Sequence, residues 1–217
     1  MDDLSVILYV CVLLPIILSL FILEGRARLV VGFILLGMTI CLYVSYMNTI
    51  ICNALGESLV YYTTTVSPIL EEVAKAIPIL IYAFVFSNDR KSIIHASFSV
   101  GLGFAVLENL IILTQNIGTV SVDVPWAFAR GFGAGLMHGV CTVAVGLGIS
   151  FVKNRKKFFY CGTLSLLMLA ITYHAIYNVI VLSSYRYFGF ALPLATYIPI
   201  LFCLRAGRRV QKKNDQK

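Results

Sequence analysis

The side chains in this sequence that could do chemistry fall in four short motifs. Residues 71–75 read EEVAK, with Glu71, Glu72 and Lys75. Residues 104–109 read FAVLEN, with Phe104, Glu108 and Asn109. Arg130 and His138 follow in a glycine-rich run, and residues 174–178 read HAIYN, with His174 and Asn178. Two imidazoles and three carboxylates form a kit for metal-assisted hydrolysis. Imidazole and carboxylate suit zinc, and a spare carboxylate can take a proton from a bound water.

The elements that must position these groups are helices. Residues four apart share a helix face, which pairs Glu71 with Lys75, Phe104 with Glu108, and His174 with Asn178. Glu72 points about 100° away from Glu71, so the two carboxylates are expected to have different partners. Glycines at 131, 135 and 139 form a small-residue strip beside His138, where a neighbouring helix could approach closely.

Composition places those helices in lipid. Of 217 residues 59% are hydrophobic and 12% charged, with a mean hydropathy of +0.90. Soluble domains carry about a quarter charged residues. Seven windows are long and apolar enough to cross a bilayer: Leu4–Leu23, Leu29–Asn48, Ser58–Phe86, Ile93–Asn116, Trp126–Val152, Phe158–Leu182 and Tyr187–Leu204. The expected fold is all-α, a polytopic bundle of about seven transmembrane helices in one integral membrane domain spanning residues 1–217. Residues 58–182 form its four-helix core. Pro68 and Pro78 should kink the third helix. There is no internal repeat of the kind many transporters carry. The N-terminus lacks a basic region and a small-residue cleavage site, so the first segment reads as a retained helix.

The net charge of +7 does not indicate nucleic acid, because the basic residues flank apolar runs. Fourteen of them lie after the first, third, fifth and seventh windows, while Arg186 stands alone on the opposite side. The positive-inside rule then puts the N-terminus outside the cell membrane and the basic tail, residues 205–217, in the cytoplasm. These clusters also suit anionic lipid heads. The six cysteines are scattered singly and suggest neither a disulfide framework nor a thiolate metal site.

With that topology the motif residues agree in depth. Glu71, Glu72, Glu108, His138 and His174 lie roughly 12–21 Å below the outer boundary, at 1.5 Å per residue. Ionisable groups inside a span cost about 2.5–3.5 kcal/mol each on insertion scales, which makes them functional candidates. Each has a plainer reading as well. A lone histidine can serve as a helix–helix hydrogen-bonding group, Lys75 can simply neutralise Glu71, Arg130 can snorkel, and Asn109 and Asn178 can glue helices together. Scattered structural polars would have no reason to share one slab.

In order and helix placement, EEVAK, FAVLE, the fifth-helix histidine and HAIYN resemble the motifs of the PrsW intramembrane proteases. That group is similar to the wider CAAX-protease and bacteriocin-processing superfamily. The resemblance covers residues 58–182. It maps the family's paired glutamates onto Glu71 and Glu72, with Lys75 completing that motif. The later motifs fall on Phe104 and Glu108, on His138, and on His174. Two departures stand out: the last motif ends in Asn178 where many relatives have Asp, and CAAX proteases have His at the place of Glu108. The resemblance implies cleavage of single-pass anti-sigma factors at the outer side of the membrane, and so a role in stress signalling.

The reading is therefore an intramembrane endopeptidase acting on a single-pass membrane protein. In its metal version His138, His174 and Glu108 hold a divalent ion, zinc by preference, and Glu71 or Glu72 is the general base. In its metal-free version one glutamate activates water while His174 and Asn178 steady the oxyanion. Lys75, Phe104, Asn109 and Arg130 support either site. The rivals are a non-catalytic membrane scaffold, like the polytopic scaffold subunit of γ-secretase, and a proton-coupled transporter using the same groups as a relay.

Overall fold

The computed structural model describes residues 3–116, 124–152 and 156–198. Its elements are helical throughout. In chain order they are α1 (Asp3–Leu20), α2 (Gly25–Leu55), α3 (residues 59–86), α4 (Arg90–Asn116), α5 (Val124–Val152) and α6 (Lys156–Leu182). A 3₁₀ turn, Arg186–Phe190, follows, and α7 occupies residues 191–198. The basic tail at 205–217 and the end of the seventh window lie outside the described residues.

Among the described residues four helices, over Gly25–Leu55, Arg90–Asn116, Trp126–Phe151 and Cys161–Leu182, are long and apolar enough to cross a membrane by length and composition. The bundle is inside out relative to a soluble protein. Ile77, Ile81, Val179 and Leu182 face outward, whereas Lys75, His138 and His174 are buried. That is the arrangement lipid imposes, because outward apolar side chains cost nothing there and charges must find partners within the protein.

α4 is the hub, packed against α2 on one side and α5 on the other, with α6 against α5. Glycine makes both crossings of α4 close. A Cβ at Gly37 would strike the Val100 carbonyl, and one at Gly103 would strike the carbonyl of Ile34, so α2 and α4 meet backbone to backbone. On its opposite side, a Cβ at Gly101 would run into the carbonyl of His138. The strip expected to do this, Gly131, Gly135 and Gly139, does so only in part. Gly131 has nothing within 4 Å, Gly135 only just touches Leu102, and Gly139 meets the ring of Phe98. The close approach that seats His138 comes from α4 instead, because the small residue there sits opposite the histidine's own backbone.

α3 departs from a simple kinked helix. It consists of a short turn, Leu59–Tyr61, a π-turn at Tyr62–Val66, a regular α-helix over Ser67–Ile81 and a second π-turn at Tyr82–Phe86. In the first π-turn the Ser67 amide donates to the carbonyl of Tyr62. Continued in the same register, the Thr63 carbonyl would look to residue 68, which is proline and has no N–H. That freed carbonyl is taken by a side chain from α6, as described below. α2 also runs further than its apolar window, ending where Gly56 caps it in the left-handed region at φ 65°.

Candidate active site

The polar residues of α3 meet those of α4, α5 and α6 in one buried cluster. Glu71 and Glu72 begin the second turn of the regular part of α3, and Lys75 follows on the next. Their helix is strongly sided, with Ile69, Val73 and Ile77 outward and Glu71, Glu72, Lys75 and Ile79 inward. The two glutamates do have different partners. Glu72 Oε1 accepts from Lys75 Nζ at 2.7 Å and from His174 Nδ1 at 2.8 Å. Glu71 Oε1 accepts from the Ser67 hydroxyl at 2.7 Å. Its other oxygen, Oε2, is buried without a hydrogen bond and lies 3.7 Å from His174 Nε2. The expected neutralising pair is thus Lys75 with Glu72, three residues apart, not with Glu71.

Each histidine meets a carboxylate, but through a different ring nitrogen. His138 Nε2 lies 3.0 Å from Glu108 Oε2, and its Nδ1 lies 2.8 Å from Lys75 Nζ. An ammonium group has no acceptor, so it donates to Nδ1, and the ring proton sits on Nε2 facing Glu108. His174 gives its Nδ1 proton to Glu72, which leaves the lone pair on Nε2. Each ring is therefore held by one carboxylate, a carboxylate–histidine pairing familiar from metal centres. The two rings stand edge to face with centroids 4.9 Å apart. Phe104 covers this floor, 5.0 Å from the His138 ring and with Lys75 Nζ 4.6 Å from its centroid.

The structure distributes the remaining sequence candidates around this centre. Arg130 turns inward, with its guanidinium 3.2 Å from Glu108 Oε2, and so does not snorkel. Asn178 donates from Nδ2 to the Thr63 carbonyl at 2.9 Å, which fills the vacancy left by the π-turn and Pro68. The Asn109 side-chain oxygen is buried without a partner. Residues that sequence reasoning passed over are Asn48, Tyr62, Thr63 and Ser67. They carry no charge, and only the spacing of Ser67 four residues before Glu71 would have marked one of them.

Three donor atoms, one each from Glu71, His138 and His174, lie within 4.8 Å of one another, and all three residues are buried. That set fits a metal. Two imidazoles and a carboxylate are zinc's preferred ligands, and Glu71 Oε2 is an orphaned buried oxygen in need of a counter-charge. Glu108 lies outside this set and faces His138 and Arg130.

A multi-pass helical bundle that gathers these groups inside its apolar shell is, by class, a membrane-embedded hydrolase. A family model described as PrsW family intramembrane metalloprotease matches residues 25–204, most of the chain, and the protein belongs to that family. It is thus an intramembrane metalloprotease, a metal-dependent peptide hydrolase that sits in lipid and acts on membrane-bound substrate. The scaffold and transporter readings fall away. No curated protein and no solved structure matches the chain.

Proposed function

We propose that the protein cleaves a single-pass membrane protein, such as an anti-sigma factor, near the outer face of the bilayer, and that it serves stress signalling by doing so. The observation that carries the chemical part of this reading is the unpaired Glu71 Oε2 standing beside the lone pair of His174. Glu71, His138 and His174 would hold the divalent ion, with zinc the best match to their chemistry. Once bound, the ion supplies an acidified water and polarises the scissile carbonyl.

The protein's own groups do the rest. Glu72 fixes the His174 tautomer so that its Nε2 lone pair is offered beside Glu71, while Glu108 orients the His138 ring, whose Nδ1 lone pair would have to exchange Lys75 for the ion. Lys75 offsets the Glu72 charge and keeps the cluster tolerable inside an apolar bundle. The second oxygen of Glu72 carries no hydrogen bond and is the acceptor for the proton of the attacking water. In this assignment Glu108 orients a ligand instead of being one, which revises the ligand set expected from sequence. Support for cleavage on the outer side comes from the basic clusters, which by the positive-inside rule favour an external N-terminus and so a site in the outer half of the bilayer.

The test is purified protein reconstituted with a single-pass substrate, with and without a chelator, read by product mass. Cleavage that chelator abolishes and zinc restores is the expected result. Undiminished cleavage in chelator would return the chemistry to a glutamate acting on water without a metal.

A further inference from the structure

A chain of hydrogen bonds reaches Glu71 from a helix that contributes nothing else to the site. Tyr62 OH donates to Asn48 Oδ1 at 2.9 Å, Asn48 Nδ2 donates to Ser67 Oγ at 2.8 Å, and Ser67 Oγ donates to Glu71 Oε1 at 2.7 Å. Asn48 stands near the end of α2, Tyr62 in the π-turn of α3, and Ser67 at the start of the regular helix. Tyr62, Ser67 and Glu71 are all buried. Every bond in the chain donates toward the carboxylate.

The behaviour of Ser67 sets it apart. A hydroxyl inside a helix usually turns back onto the carbonyl four residues earlier. Thr39, Ser97, Thr142 and Thr172 all do so here. For Ser67 that acceptor would be the Thr63 carbonyl, which Asn178 already occupies. Asn48 meanwhile donates to the Ser67 oxygen, so the Ser67 proton is directed onward to Glu71.

We propose that Ser67 and Asn48 are positioning residues for Glu71, holding one carboxylate oxygen so that the other faces His174 and the metal. The π-turn is the mount for this device. It places Tyr62 against α2 and offers the Thr63 carbonyl to α6, which fixes the start of the helix that carries the glutamates. The proposal rests on the reading of Glu71 as a metal ligand. It predicts that the site depends on a helix outside the four that carry the sequence motifs.

The experiment measures zinc affinity by competition with a chromophoric chelator, and kcat and KM separately, on full-length protein in detergent. Its variants are Ser67→Ala, Ser67→Thr, Asn48→Leu, Tyr62→Phe and Glu71→Ala. Ser67→Ala and Asn48→Leu should each weaken zinc about 10- to 100-fold and lower kcat with KM little changed, the size usual for groups that orient a ligand. Ser67→Thr keeps the hydroxyl and should restore most of both. Tyr62→Phe, one bond further out, should have the smallest effect. Wild-type zinc affinity and kcat in Ser67→Ala, with zinc lost in Glu71→Ala, would overturn the positioning role alone. Wild-type zinc affinity in Glu71→Ala would overturn the ligand reading beneath it. If Asn48→Leu fails to fold, Ser67→Ala, which removes a single oxygen, decides the question.

Discussion

Lys75 Nζ stands 2.8 Å from Nδ1 of His138, so an ammonium group meets the lone pair of an imidazole in the middle of the bundle. Lys75 is fully buried, and its only carboxylate partner is Glu72 at 2.7 Å among the described residues. Removing one member of a buried ion pair strands the other and costs about 3–5 kcal/mol. Lys75→Met should therefore lower the thermal midpoint in detergent sharply. The double variant Lys75→Met, Glu72→Gln should recover much of that loss. Wild-type stability in Lys75→Met would mean that the pair contributes nothing.

The two glutamates should separate when each is changed to glutamine. Both substitutions should reduce cleavage by about 100-fold or more, the usual cost of losing a proton acceptor or a ligand charge. Only Glu72→Gln should also destabilise, since Glu72 alone neutralises Lys75. Product mass and thermal melting on the same preparations check both halves. Equal cleavage by wild type and the double glutamine variant would remove these residues from the chemistry.

Elemental analysis distinguishes a ligand from a group that orients one. Alanine at His138, His174 or Glu71 should abolish stoichiometric zinc. Glu108→Gln should keep zinc at an affinity about 10- to 100-fold weaker. Zinc retained in Glu71→Ala and lost in Glu108→Gln would restore Glu108 as the third ligand. Stoichiometric metal in the double histidine variant would exclude the site altogether.

Glycine positions that look alike in sequence should respond in opposite directions. Gly103→Ala and Gly101→Ala place a methyl against backbone carbonyls of α2 and α5 and should destabilise by about 1–3 kcal/mol. Gly131→Ala meets open space and should be neutral or stabilising by up to about 1 kcal/mol from helix propensity. Thermal unfolding of the three single variants measures this. Comparable losses at all three would contradict the packing.

Orientation is open to a direct check. A tag after Lys217 should be cytoplasmic, and one before Met1 should be reached by protease added outside. A protected N-terminus in right-side-out vesicles would invert the map and move the proposed cleavage to the other leaflet.

Much of this arrangement was legible in the sequence because lipid penalises polar side chains so heavily. Glu71, Glu72, Lys75, Glu108, His138 and His174 stood out for that reason, and their agreement in depth anticipated a single cluster. What could not be read was rotation about each helix axis. Pairing Glu71 with Lys75 followed from ideal four-residue spacing, whereas the long lysine side chain reaches Glu72 three residues back. The π-turn was invisible because one extra residue per turn leaves no compositional trace. Asn48 and Ser67 were passed over because neutral hydroxyls and amides are common in membrane helices. Likewise, the sequence shows a glycine as small but not which helix it admits, and so Gly101 was missed while Gly131 was favoured.

The composition of α3 has a consequence for biogenesis. Its regular segment carries three charged residues in five positions, and α3 is not among the four helices apolar enough to cross a membrane by themselves. On leaving the translocon it would have the Glu72–Lys75 pair closed within the helix and Ser67 on Glu71, but Glu71 and Glu72 would lack His174, and Lys75 would lack His138. Two of those partners, His138 and His174, are synthesised later, on α5 and α6. The polar surroundings of α3 are thus complete only once α6 has followed it. A chain that stopped short of α6 would leave Glu71 inside the bundle without the imidazole that faces it.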